Sequence, residues 1–163
     1  MLSEEINKAL NKQLNQELRN AYLYLSMAAY LASRNLNGFS HYFTVQAKEE
    51  IGHAMRIYKY ILDRGGRVVL EDIPKPKTEW KDLLELARDF YEAEVSNTKR
   101  IWELVELARK HGDKATESFL KWFIDEQVEE ESQASQVLAL VKMVRDSPPG
   151  ILALDQRLGQ RKE

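Results

Sequence analysis

Residues 39–62 read FSHYFTVQAKEEIGHAMRIYKYIL, a run with one glycine and no proline. Within it Phe39, Phe43, Gln46, Glu50, His53, Ile57 and Tyr60 recur at spacings of three and four. That spacing places all seven on one face of a helix, the face that packs against a partner. Three of the seven are polar, and two of those, Glu50 and His53, can carry charge. Positions i and i+3 share a helix face, so Glu50 and His53 point the same way. A carboxylate in an apolar seam is costly unless something pairs with it.

Three further segments repeat the pattern. Upstream, the seam is Leu10, Leu14, Glu17, Ala21, Tyr24 and Ala28. Downstream, one seam is Leu83, Ala87, Phe90, Glu94, Asn97, Ile101, Leu104 and Ala108, and the next is Leu120, Phe123, Gln127, Glu130, Ala134, Val137, Val141 and Val144. Breakers fall between them, at Gly38, at Gly65-Gly66, at Pro74 and Pro76, at Gly112 and at Pro148-Pro149-Gly150. Gly52 alone sits inside a segment, at a cost of about 1 kcal/mol relative to alanine. The expected helices are 4–34, 38–64, 80–111 and 114–146, with a short amphipathic fifth at 151–158. Arg67 to Leu70 is the one stretch that reads as a possible strand. Four helices with one seam each pack as an all-α four-helix bundle. The first–second and third–fourth joints are short, so those pairs form antiparallel hairpins. The joint from Gly65 to Glu79 has 15 residues. Extended, it reaches roughly 50 Å against about 40 Å for a 27-residue helix, enough for one long crossover between helices 2 and 3.

Glu17, Glu50, His53, Glu94, Gln127 and Glu130 all occupy seam positions near the middle of their helices. Glu17 and Glu94, Glu50 and Gln127, and His53 and Glu130 each stand 77 positions apart. Two hairpins thus carry equivalent polar residues at equivalent depth, as a pseudo-twofold site requires. The seams offer no lysine or arginine, so the neutralising charge must come from a bound cation. Four carboxylates and one imidazole suit iron or manganese, and a bridging carboxylate brings two ions close together. Di-metal carboxylate bundles use one Glu from each of two helices and Glu-x-x-His from the other two. Here one such motif is intact, Glu50-Ile51-Gly52-His53, and its counterpart is Gln127-Val128-Glu129-Glu130.

Composition narrows the classes. The chain has 163 residues, one domain's worth (1–163), and a formal net charge of −2, which argues against gripping nucleic acid or an anionic membrane by bulk charge. It has no cysteine, which excludes disulfides, zinc–thiolate and iron–sulfur sites and cysteine nucleophiles. The longest apolar stretch, Ala21 to Ala32, falls short of the ~20 residues a bilayer span needs. The polar, acidic N-terminus is no secretory signal, so a cytoplasmic location is expected.

Four motifs carry a family resemblance: AYLYLSMAAY at 21–30, EEIGH at 49–53, GGRV at 65–68 and WFIDEQVEEE at 122–131. Together they resemble the non-haem ferritins of bacteria and archaea over essentially the whole chain. The resemblance implies a ferritin-like fold and a ferroxidase centre holding two iron ions per subunit. One ion would be held by Glu17, Glu50 and His53, the other by Glu50, Glu94 and Glu130, with Glu50 bridging and Gln127 beside the centre. It implies a third, weaker iron site at Glu49, Glu126 and Glu129, and a redox role for Tyr24. It implies Fe(II) and O2 as substrates, storage of ferric oxyhydroxide, and a homo-oligomeric cage of about 24 subunits closed by symmetry. Glu117 aligns with an acidic residue of the threefold channels, whereas the other acidic position there is Leu120. Gln127-x-x-Glu130 departs from the bacterioferritins and rubrerythrins, which keep histidine in both halves. Ile51 stands where haem-containing relatives carry a methionine ligand, so no haem is expected. Arg19-Asn20 also departs from the family's usual tyrosine and serine.

Ala21 to Ala32 is apolar nearly all round, which leaves Tyr22, Leu23 and Tyr30 for contact with another subunit. The alternative to storage is a diiron oxidase or peroxidase without a cavity, separated from it by particle size and iron content. A scaffold with structural glutamates, and the small DNA-protecting relatives with a site between subunits, are further alternatives.

Overall fold

A computed structural model describes residues 1–163. The helices are α1 (Glu4–Ser33), α2 (Asn37–Asp63), α3 (Leu83–Lys110), α4 (Lys114–Val144) and α5 (Pro148–Leu158). There are no strands. The fold is an all-α four-helix bundle with a short C-terminal helix, as the seams implied. α1 packs on α2 and α3 on α4 as two hairpins, and α1 also meets α3. No helix is long and apolar enough to cross a membrane.

Caps decide the ends. The side chains of Ser3, Asp82, Asp113 and Ser147 each accept a hydrogen bond from a backbone N–H in the first turn of α1, α3, α4 and α5. Asp82 therefore starts α3 at Leu83 rather than at Trp80. Ser147 starts α5 at Pro148 rather than at Ile151, with prolines in its first turn, where a missing N–H costs nothing. α2 has no side-chain cap from its own segment. Asp155 of α5 supplies one, accepting from Phe39 N at 2.8 Å. The approach is so close that a Cβ on Gly38 would lie 1.7 Å from the Asp155 carbonyl oxygen, so only glycine fits there.

The crossover runs from Arg64 to Asp82, along α1. The expected strand at Arg67 to Leu70 is absent. The segment pairs instead with asparagine side chains. Asn11 donates to Arg67 O at 2.8 Å and accepts from Val69 N at 2.6 Å. Asn15 donates to Val69 O at 3.0 Å and accepts from Glu71 N at 2.9 Å. Asn7 accepts from Arg67 N at 3.2 Å. Arg19 reaches Asp72 O at 3.5 Å, and Ser26 donates to Lys77 O at 2.6 Å. Arg19 thus serves as a crossover anchor.

The apolar core is in two pieces. One holds 19 buried residues around Tyr24, Phe43 and Phe90. The other holds 11, around Leu10, Ile57 and Phe123. Between them lies a buried polar belt containing Gln13, Glu17, Gln46, Glu50, His53, Glu94, Asn97, Gln127 and Glu130.

Some expectations change. Tyr30 is buried, with its hydroxyl donating to Trp80 O at 2.8 Å and its ring against Trp80. It belongs to this chain's own core rather than to an intersubunit face. Leu25, not foreseen, is exposed beside Tyr22. Trp102 is 58% exposed.

Candidate metal centre

The polar belt is built by four helices that each contribute side chains at one height. α1 brings Gln13 and Glu17, α2 Gln46, Glu50 and His53, α3 Glu94 and Asn97, and α4 Glu126, Gln127 and Glu130. Glu17, Glu50 and Glu94 are fully buried, and Glu130 and His53 nearly so. Two sets of potential ligand atoms converge, Glu17 with Glu50 and His53, and Glu50 with Glu94 and Glu130, each with atoms within 4.8 Å of one another. Glu50 is common to both.

Of the seven buried side-chain atoms without a hydrogen-bond partner, three converge here: Glu17 Oε2, Glu50 Oε2 and His53 Nδ1. They face one another. His53 Nδ1 is 3.4 Å from Glu50 Oε2 and 3.7 Å from Glu17 Oε2. Buried polar atoms are nearly always satisfied, so three orphans aimed at one point call for a cation there.

The opposite oxygens are held. Glu17 Oε1 accepts from Gln13 at 3.1 Å and from Asn97 at 3.2 Å. Gln46 donates to Glu50 Oε1 at 3.3 Å and to Glu130 Oε2 at 2.6 Å, tying the two acids across the bundle. Tyr24 donates to Glu94 Oε1 at 2.6 Å. Gln127 donates to Glu94 O and to Thr98, and accepts from Asn97. Such partners fix ligand orientation. Gln13, Gln46, Asn97 and Thr98 went unrecognised as site residues in the sequence. A signal existed: Gln13 precedes Glu17 by four positions, as Gln46 precedes Glu50. The 77-residue offset also pairs Asn97 with Asn20, both buried. Asn20 accepts from Gln16 at 2.9 Å.

Burial pushes the Glu50 carboxyl well above its usual range, and the neighbouring Glu17 charge adds to the effect. Burial also opposes ionisation of Glu17, but its close approach to Glu50 and His53 and its hydrogen bond from Asn97 outweigh it and bring the group down to about 2. The two acids titrate as a coupled pair, Glu17 the more readily ionised. Burial and the Glu94 charge raise Glu130 to about 8. Burial disfavours charge on His53, yet its proximity and attraction to the Glu17 carboxylate raise it overall. Burial and Glu94 keep the Tyr24 phenol protonated, well above its usual value. An incoming cation therefore competes with protons.

Glu126 is half-buried, 3.9 Å from His53 Nε2, and forms a third convergent group with His53 and Glu130. Glu129 is exposed, and Glu49 is paired with Arg161 at 3.0 Å. Trp122 lies edge-on to His53, with Arg56 over its ring. At the far end of α4, Glu117 accepts from Arg109 at 2.7 Å. Lys114 and Lys121 share its groove. Leu120 is fully buried in the core and so lines no channel.

Similarity to known proteins agrees with this geometry. Residues 7–144 match the family described as the ferritin-like domain. A bacterial non-heme ferritin of Staphylococcus epidermidis is 42% identical over 161 residues, covering 99% of this chain and 97% of its own. One of Staphylococcus haemolyticus is 41% identical over the same coverage. An open pore ferritin from the hyperthermophilic archaeon Archaeoglobus fulgidus superimposes with a TM-score of 0.98 at 43% identity, covering 99% of this chain and all of that one.

Proposed function

The chain belongs to the ferritin-like domain family, among the non-haem ferritins, and from that membership we propose that it stores and detoxifies iron as one ferritin-like diiron domain over residues 1–163. It oxidises Fe(II) with O2 and lays down ferric oxyhydroxide inside a homo-oligomeric cage. The observation that carries the reading is the trio of orphaned buried atoms on Glu17, Glu50 and His53, beside a second set that shares Glu50.

The ferrous ions are substrate. Glu17, Glu50 and His53 would bind one, and Glu50, Glu94 and Glu130 the other. Protons held on Glu50 and Glu130 leave as the ions arrive, which keeps the belt near neutral charge. Gln46 and Asn97 hold the carboxylates so that binding requires little reorganisation. Gln127 braces Glu94 from beside the centre. Each ferrous ion gives one electron to O2. Tyr24 sits 2.6 Å from Glu94, so a phenol that gave up an electron could pass its proton to that carboxylate. Glu49, Glu126 and Glu129 would take a third cation on the way to the cavity.

Aerobic Fe(II) oxidation by wild type and Glu50→Ala, with particle size and iron content read afterwards, tests the proposal. The variant is expected to oxidise iron about 100-fold more slowly or worse, since it loses the ligand common to both ions. Wild type should form a cage that fills far beyond two iron ions per subunit. Oxidation that stops at two in a small oligomer would instead mark a diiron oxidase or peroxidase. Equal rates in the two proteins would overturn the site.

A further inference from the structure

Chain ends fray unless something ties them down. Here Gly159–Glu163, which follows α5, is tied down. Its backbone and side chains return along α2. His41 Nε2 lies 2.7 Å from Arg161 O, and Lys48 pairs with Glu163. The anchor is the Arg161 side chain, only 13% exposed. Its guanidinium lies over the Tyr42 ring, 4.2 Å from the centroid. One arm donates to Tyr42 O at 3.1 Å, and the other to Glu49 Oε2 at 3.0 Å.

Glu49 adjoins Glu50 in the chain, and its charge is felt by Glu130. A tail that ended as a simple surface fray would have no reason to sink its one arginine here, beside a centre whose task is to gather cations. A guanidinium bonded to a carboxylate takes up that group's acceptor capacity and repels any divalent ion approaching it.

We propose that Arg161 is a clasp carried by the C-terminal tail: it holds the Glu49 carboxylate out of cation coordination, and the third cation site opens when the tail releases it. The clasp regulates passage of iron from the paired site rather than oxidation itself. It rests on the reading in which Glu49, Glu126 and Glu129 receive a third cation. Cation binding and tail release are then linked, each favouring the other.

The test uses Co2+ as a redox-inert probe, titrated calorimetrically into the assembled metal-free protein. Wild type is compared with Arg161→Gln, with a chain ending at Gly159, and with Glu49→Gln. Loss of one charge-assisted, partly exposed pair is expected to tighten the third equivalent by about tenfold in both clasp variants, with the first two unchanged. Hydrogen exchange of residues 155–163 gives a second readout. In wild type it should speed up once Co2+ exceeds two equivalents, and in Glu49→Gln it should not. If Glu49→Gln removes the third equivalent but neither clasp variant changes it, the clasp is overturned and the third site stands. If Glu49→Gln leaves the third equivalent intact, the third-site reading falls, and the clasp with it.

Discussion

Four glutamates and a histidine inside one bundle are an expensive arrangement without cations. Glu50, Glu94 and Glu130 are all raised, with burial the leading cause in each. His53 is raised as well. All four hold protons in the folded protein that the unfolded chain gives up at lower pH. Stability is therefore lost as pH rises, from the usual carboxylate value of 4.5 toward about 8 for Glu130. Glu17 has the opposite sign: lowered to about 2, it contributes stability above the usual value, and that contribution disappears as pH falls toward 2. Calorimetry of the metal-free protein should show a lower Tm at pH 8.5 than at pH 6. Glu130→Gln should flatten the slope, and a divalent cation should reverse it by binding only the folded state. A pKa unit is worth about 1.4 kcal/mol, so the expected change is a few kcal/mol. A Tm that stayed level or climbed between those pH values would show that the carboxyls are not held protonated.

At the scale of elements, the crossover is the least regular segment and is held by a regular device. An extended chain advances about 6.6 Å per two residues, and a helix about 6.0 Å per four. Asparagines at every fourth position of α1 therefore meet every second residue of the crossover, and Asn7, Asn11 and Asn15 meet Arg67, Val69 and Glu71 in turn. Asn11→Ala leaves Arg67 O and Val69 N without their Asn11 bonds and is expected to cost about 1–3 kcal/mol in urea unfolding. Exchange of the Val69 amide should accelerate in the same variant. Unchanged exchange there would mean the ladder does not hold the crossover.

For the molecule as a whole, the crossover and α1 together present an apolar surface. Tyr22 lies between Arg19 and Ser26, which both bond the crossover, and is 46% exposed. Leu25, Val69, Leu70 and Ile73 are exposed as well. Apolar patches of this kind mark contacts between subunits. Tyr22→Asp combined with Leu70→Asp should give a much smaller particle by sedimentation. It should end storage beyond the paired site while leaving the first oxidation in place, because the belt lies within one chain. Sedimentation identical to wild type would remove this face from the assembly.

The four helices, the height of the belt and its acids and histidine were legible along the chain. Helical periodicity is local, and a charged residue in an apolar seam stands out without any knowledge of the partner. The 77-residue offset did the same for the pairing of hairpins. What the sequence left open depended on contacts between distant positions. Tyr30 looked like an interface residue because Trp80, which covers it, lies 50 residues away. The cap on α2 comes from Asp155, 116 positions on, and the partner of Glu49 is Arg161, 112 positions on. Neutral amides such as Gln46 carry no mark in a seam until the acids they bridge are brought together. Only the tertiary structure decides such pairs, because a hydrogen bond or ion pair across the fold is fixed by distance and direction in space, which no spacing along the chain encodes.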